Sequence, residues 1–280
     1  MQKGEIQMTG KLIKYEFRSS MKLMAVVWAA LIVCSILFSI STNVLENLLR
    51  NGSDAMRMLL GILQGATGLL YGAVFAAMIA AAVIIIILRF YRGLLGDEGY
   101  LMHTLPVKPW QLITSKGVSA VVIICASAVT AVISILILVG TDSFDMIAYF
   151  ASSLKKLFKL DPAAIVVIAE FVITGVLSVM KSIYQIYASL AIGQLAGKHR
   201  ILLSLGAYVG ISILVTVMAV LLMTALNASG ILDGYTLESF GDVLDSGQKC
   251  AAALGGITIL QLVVFHVTAE RILSLRLNLQ

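Results

Sequence analysis

Long apolar runs, separated by short clusters of charge, recur along this chain. A membrane-spanning helix needs ~20 largely apolar residues to cross a hydrocarbon layer of ~30 Å. Six runs qualify, at about residues 23–45, 62–88, 117–140, 163–192, 201–227 and 250–269. The second lies inside an uncharged stretch from Met58 to Leu88. At ~1.5 Å per residue that stretch is ~46 Å long, so it is expected to tilt or to project, here on the outer side. The first run starts only after residue 22 and no small-residue cleavage site closes it, so it reads as a span and not as a cleavable signal. The pattern predicts an all-α integral membrane protein with six transmembrane helices, forming one transmembrane domain over residues 1–280.

Punctuation agrees with these spans. The three prolines, Pro106, Pro109 and Pro162, all fall outside the apolar runs. Pro162 suits the first turn of the fourth span with Asp161 as its cap. Spans without proline give little sign of the broken helices that hold ions in many secondary transporters.

Charge sets the expected orientation. With the N-terminus inside, the inner segments hold Lys3, Lys11, Lys14, Arg18, Lys22, Arg89, Arg92, Lys108, Lys116, Lys198, Arg200, Arg271 and Arg276. The outer segments hold Arg50, Arg57, Lys155, Lys156, Lys159 and Lys249. The excess favours both termini in the cytoplasm. Only the cluster Lys155, Lys156, Lys159 opposes it.

Composition adds weight to the membrane assignment. Hydrophobic residues make up 60% of the 280 and charged residues 12%, whereas a soluble domain runs at about half and about a quarter. The net charge of +5 therefore bears on the membrane surface, and no nucleic acid is expected as a partner. The three cysteines, Cys34, Cys125 and Cys250, lie in or beside apolar runs with no metal-type spacing. They are expected to be buried, inert thiols.

Several segments carry more pattern than a plain span or connector. Lys11, Lys14, Arg18 and Lys22 fall within about 80° on a helical wheel, next to an arc of Ile13, Phe17 and Met21. They predict either an amphipathic helix lying on the inner membrane surface or the ordinary positive flank of the first span. The inner connector Arg89–Leu112 alternates charges, aromatics and leucines, with Gly96 and Gly99 around Asp97 and Glu98, and with Pro106 and Pro109 before the third span. Two readings stand for it: a short helix that docks into a groove on a cytosolic partner, or a solvated loop that anchors two spans.

Glu170 and Lys181 are charges inside the fourth span, eleven residues and thus ~16 Å apart. They mark a possible translocation path, although Lys181 can also reach the inner interface by snorkelling. Gly61, Gly65, Gly68 and Gly72 form a smooth stripe suited to close helix contact, within the bundle or with a second copy. The outer segment Phe144–Leu160 mixes aromatics, leucines and lysines, as a surface helix or a solvated loop would. No catalytic constellation is present, and no G-x-x-x-x-G-K-[ST] phosphate loop. Gly193-x-x-x-Gly197-Lys198-His199 is one residue short and lacks the Ser or Thr, so the chain is not expected to be an enzyme or to bind a cofactor.

The connector's Asp97-Glu-Gly-Tyr-Leu101 and Leu105-Pro-Val107, the opening Leu12-Ile-Lys-Tyr-Glu-Phe17 and the closing Arg276-Leu-Asn-Leu279 resemble the permease subunits of ABC-2 type exporters. The six-span layout agrees along nearly the whole chain. The resemblance implies a bacterial cell-membrane protein, multi-pass, paired with a second permease subunit as homodimer or heterodimer. It implies cytosolic ABC ATPase subunits as partners, with ATP and magnesium held there and not on this chain. It implies a coupling helix between spans two and three, carried by Asp97, Glu98, Gly99, Tyr100, Leu101 and His103, with Gln194–Arg200 as a second contact. It implies an N-terminal elbow helix at Lys11, Lys14, Arg18 and Lys22. The substrate is not identified; a peptide or a drug is within the family's range. Two other classes remain: an ion-coupled secondary transporter, motivated by Glu170 and Lys181, and a non-transporting membrane scaffold or sensor that docks a signalling protein.

Overall fold

A computed structural model describes residues 2–49, 53–95, 109–140, 142–160, 163–196, 199–229 and 240–275. All regular structure among them is helical. The helices are α1 (Gln2–Leu49), α2 (Asp54–Phe90) with a π-helical continuation at Tyr91–Leu95, α3 (Pro109–Val139), α4 (Asp142–Leu160), α5 (Ala163–Gly193), α6 (Arg200–Ala228) and α7 (Phe240–Leu275). Six of them, all but α4, contain a stretch long and apolar enough to cross a membrane. Each corresponds to one apolar run of the sequence. Hydrocarbon offers no partner for backbone N–H and C=O groups, so a spanning segment satisfies them within its own helix. Side-chain hydroxyls follow the same rule. Ser35 donates to the Ile32 carbonyl, Thr130 to Ala126 and Ser189 to Gln185, each within its own helix.

The boundaries depart from the sequence reading in two places. α1 runs unbroken through Lys11–Lys22 into the first span, because neither glycine nor proline interrupts residues 11–49. α3 begins at Pro109, ahead of the apolar run at 117–140, so Lys116, counted among the inner-segment cations, lies inside the third helix and is 4% exposed. The expectation of buried cysteines is also corrected. Cys125 is exposed, and Cys34 and Cys250 are half-buried, since the apolar faces that carry them are turned outward and not into a core.

Contacts divide the chain into two compact units, Lys11–Ile86 with Ser119–Ser152, and Met1–Gly10 with Ile87–Val118 and Ser153–Gln280. The first unit joins α1, α2 and α3 around Met24, Leu31, Met78, Ala82 and Ile123. Phe38 stacks on Tyr71 at 6.4 Å. Of the glycine stripe, only Gly68 meets a neighbour: a Cβ there would lie 2.9 Å from the Phe38 ring, whereas Gly61, Gly65 and Gly72 face open space. Among the described residues, hydrogen bonds cross between helices, the longest from Thr67 Oγ1 of α2 to Ser41 Oγ of α1 at 3.5 Å. The Trp28 indole N–H donates to Ser127 Oγ at 3.0 Å, and the Tyr71 and Ser134 hydroxyls meet at 2.9 Å. Such bonds in membrane bundles contribute about 0.6 kcal/mol on average and rarely exceed about 1.7. Trp28→Phe is therefore expected to lower stability by about 1 kcal/mol in detergent unfolding. A double-mutant cycle with Ser127→Ala should return most of that as coupling energy, and zero coupling would show that the bond contributes nothing.

In the second unit α5 packs against α6 and α7. Small residues of α7 admit the approach. A Cβ at Gly247 would sit 3.5 Å from Val167, and one at Gly255 would sit 3.2 Å from Thr174 Oγ1. Gln185 Nε2 donates to Ser212 Oγ across α5 and α6 at 2.8 Å. Within α6 only Ser204 and Leu226 are buried, which leaves most of its apolar surface to lipid or to another protein.

α3 stops at Gly140, whose φ of 67° lies in the left-handed region, a common helix ending that glycine adopts without a Cβ penalty. The segment after it is α4, of 19 residues, so a helix and not an irregular loop occupies Phe144–Leu160.

Candidate functional site

The patterned connector is bounded by two helix ends in the second unit, each with a buried face. On one side α2 reaches Phe90, which is fully buried, and then widens into the π-helical turn Tyr91–Leu95. Such turns are uncommon and often sit at functional places. Gly93, Leu94 and Leu95 of this turn are buried. On the other side, after the exposed Trp110, the first turns of α3 hold Gln111, Leu112, Ile113, Ser115 and Lys116, all 4% exposed or less. Polar groups buried this densely at a helix end differ from the lipid-facing surfaces elsewhere in the chain. Gln111, Ser115 and Lys116 are all engaged with partners. The two ends touch at Gly93: a Cβ there would fall 2.6 Å from Lys116 Nζ and 3.2 Å from its Cε. A methyl group there would oblige the flexible end of that lysine to shift.

Behind these ends lies an aromatic cluster. Ile183, Tyr184, Tyr187, Ala188 and Ala191 are buried on α5 at spacings that make one helix face. Phe90 stacks on Tyr187 with centroids 4.1 Å apart and planes 12° from parallel. Tyr184 meets Tyr187 edge-on at 5.9 Å and His266 of α7 edge-on at 5.0 Å. Its hydroxyl is hydrogen-bonded to the Thr114 side chain of α3. The ring also fills the space beside Gly117, where a Cβ would lie 2.6 Å from the hydroxyl oxygen. One cluster thus ties the end of α2, the start of α3, the second half of α5 and the body of α7. Aromatic pairs of this geometry contribute about 0.5–1.5 kcal/mol beyond area burial.

The sequence-derived candidates fall in different places. Asp97, Glu98, Gly99, Tyr100, Leu101 and His103 lie outside the described residues. Lys14, Arg18 and Lys22 are exposed along α1. Lys181 is half-buried on α5. Glu170 shares the α5 face of Val167 and Thr174, which meet α7, and its Oε2 is shut from solvent with no hydrogen-bond partner among the described residues. Gln194, in the turn that follows α5, likewise has a buried Nε2 without such a partner. Among the described residues no cluster of His, Cys, Asp or Glu is arranged to hold a metal ion. The burial of Lys116 and the Phe90–Tyr187–Tyr184–His266 cluster were not anticipated from the sequence. The available signal was the pair Tyr184 and Tyr187, one turn apart near the end of a span.

Comparison of the chain with protein-family models, with curated proteins and with solved structures finds no match.

Proposed function

We propose that this chain is the membrane-spanning permease subunit of an ATP-driven exporter of the ABC-2 type, with both termini in the cytoplasm of a bacterial cell. The observation that carries the proposal is the connector between α2 and α3. Its sequence has the acidic, aromatic and proline-punctuated pattern of a coupling segment, and its two ends are packed against α5, whose Tyr184 in turn meets His266 of α7. A connector that only bridged two spans would need no such anchoring. In this reading Asp97–Leu101 and His103 dock on a cytosolic ATPase, and closure of the ATPases displaces the α2 and α3 ends. The aromatic cluster then passes the movement to the bundle, which alternates between two packings. The cations Lys11, Lys14, Arg18 and Lys22 hold the first part of α1 at the inner headgroups. Hydrolysis belongs to the partner, because the sequence has no phosphate loop of its own.

The test is purification of the full chain from its native membrane. An ATPase with a phosphate loop should co-purify, and Glu98→Ala or Tyr100→Ala should lower ATP-driven transport on the order of tenfold, the size of an ordinary coupling free energy. Transport by the chain alone, independent of ATP, would refute the proposal. So would labelling of a cysteine placed at His103 from outside intact cells.

A second reading rests on Glu170, whose buried Oε2 lies in a span. An ion-coupled transporter would use that carboxylate, and uptake or efflux would then follow an imposed proton gradient and stop in Glu170→Gln.

A further inference from the structure

We propose that α4 lies in the plane of the membrane, buried in the headgroup layer along one face, and binds anionic phospholipid through Lys155 and Lys156. α4 is the most amphipathic of the described helices. At about 100° per residue, Met146, Ile147, Phe150 and Leu154 occupy an arc of about 100°. Asp145, Ser152, Lys155 and Lys156 occupy an arc of equal width on the opposite side. Phe144 and Tyr149 fall at the two borders between these arcs, where aromatic side chains sit at a membrane–water boundary. Phe144, Met146, Ile147, Tyr149 and Phe150 are all exposed, as are both lysines. An apolar face left open in water would be a liability; at an acyl–headgroup boundary it is the part that inserts.

Chain length selects lipid as the occupant. Two residues, Gly140 and Thr141, separate α4 from α3, and two, Asp161 and Pro162, separate it from α5. Two linking residues reach about 7–11 Å, whereas α4 is about 28 Å long. Both flanking helices are long and apolar enough to cross a membrane, and α5 opens with the wholly apolar Ala163-Ala-Ile-Val-Val-Ile-Ala169, a stretch that belongs in hydrocarbon from its first residue. A helix standing away from the membrane would carry the start of α5 out with it. α4 is therefore held flat against the bilayer from both ends, with its apolar arc toward the acyl chains and its lysines at headgroup level. Lys159 adds a third positive charge to the segment. Under the orientation proposed above this is the outer leaflet, and the arrangement explains why a lysine cluster sits on the side otherwise poor in cations. The inference does not depend on the ATPase coupling, and its test leaves that reading untouched.

The full chain, with Cys34, Cys125 and Cys250 replaced by serine, is labelled with a nitroxide at Phe150→Cys or at Ser152→Cys. It is then reconstituted in vesicles of phosphatidylcholine mixed with phosphatidylglycerol. Position 150 should collide with dissolved oxygen and be shielded from a water-soluble nickel chelate, and position 152 should show the reverse. Free access of the chelate to both positions would mean a solvated helix. Shielding of both from both reagents would mean that protein, including a second copy, covers it. Either result overturns the proposal. Separately, the ratio of phosphatidylglycerol to phosphatidylcholine retained after detergent extraction should fall by about fivefold for each lysine removed in Lys155→Gln and Lys156→Gln. Both are exposed, so neither substitution disturbs the fold. An unchanged ratio would dismiss the lipid-binding role of the lysines.

Discussion

Gly193→Ala should lower stability by about 3 kcal/mol and bring the unfolding transition in detergent down sharply. Gly193 ends α5 where the chain turns into α6, and a methyl group there would overlap Ser204 Oγ. It would also lie 2.7 Å from the Arg200 carbonyl oxygen and 2.7 Å from Ser204 Cβ. Rotating the serine relieves only the first contact. The carbonyl belongs to the backbone of α6, so the two helices must part at this turn. Overpacking of this kind costs about 1–3 kcal/mol when side chains yield, and backbone places this case at the upper end. The serine supplies the control. Ser204 Oγ donates to the Arg200 carbonyl at 2.8 Å, so Ser204→Ala alone should cost about 1 kcal/mol. Ser204→Gly should recover part of the loss caused by Gly193→Ala, because residues in contact are not additive. A wild-type transition in Gly193→Ala would show that the turn is looser than its geometry.

Tyr187→Ala should cost about 3 kcal/mol as well, through a cavity. Tyr187 is 1% exposed and holds the Phe90 stack on one side and the Tyr184 edge on the other. Large aromatic truncations cost about 3–5 kcal/mol in soluble cores. The lower end applies here, since the unfolded reference within a bilayer is itself apolar. Tyr187→Phe keeps the ring and should cost about 1 kcal/mol or less. If the cluster also carries movement from the connector, Tyr187→Ala should reduce ATP-driven transport by more than it reduces the amount of folded protein. Equal reductions in both would confine the residue to a packing role.

The six spans could be read from sequence because each is decided locally. About twenty apolar residues in succession favour hydrocarbon whatever surrounds them, and the backbone then has only the helix open to it. The limits of the spans are a different matter. By its charge Lys116 belongs with the inner segments, yet it is buried in α3 with its ammonium against Gly93 at the end of α2. That contact is a tertiary fact. The same holds for Cys125, whose exposure depends on which side of α3 finds neighbours. The Phe90–Tyr187 stack joins residues 97 positions apart, and no periodicity within one run announces it. For Phe144–Leu160 the composition allowed loop or helix, and the regular alternation of its faces favours the helix. The connector residues proposed to couple came from motif resemblance, and the ends that hold them came from geometry.

The π-helical turn at Tyr91–Leu95 has one more consequence. It adds a residue to the winding of α2 just before the chain leaves for the 96–108 segment. Deleting one residue there would restore ordinary α winding. It would swing the exit direction by about 100° and draw it back by about 1.5 Å. The direction in which the helix ends at Leu95 is thus set by the pitch of its last turn, and a single deletion there would turn that end while leaving every residue of 96–108 in the sequence intact.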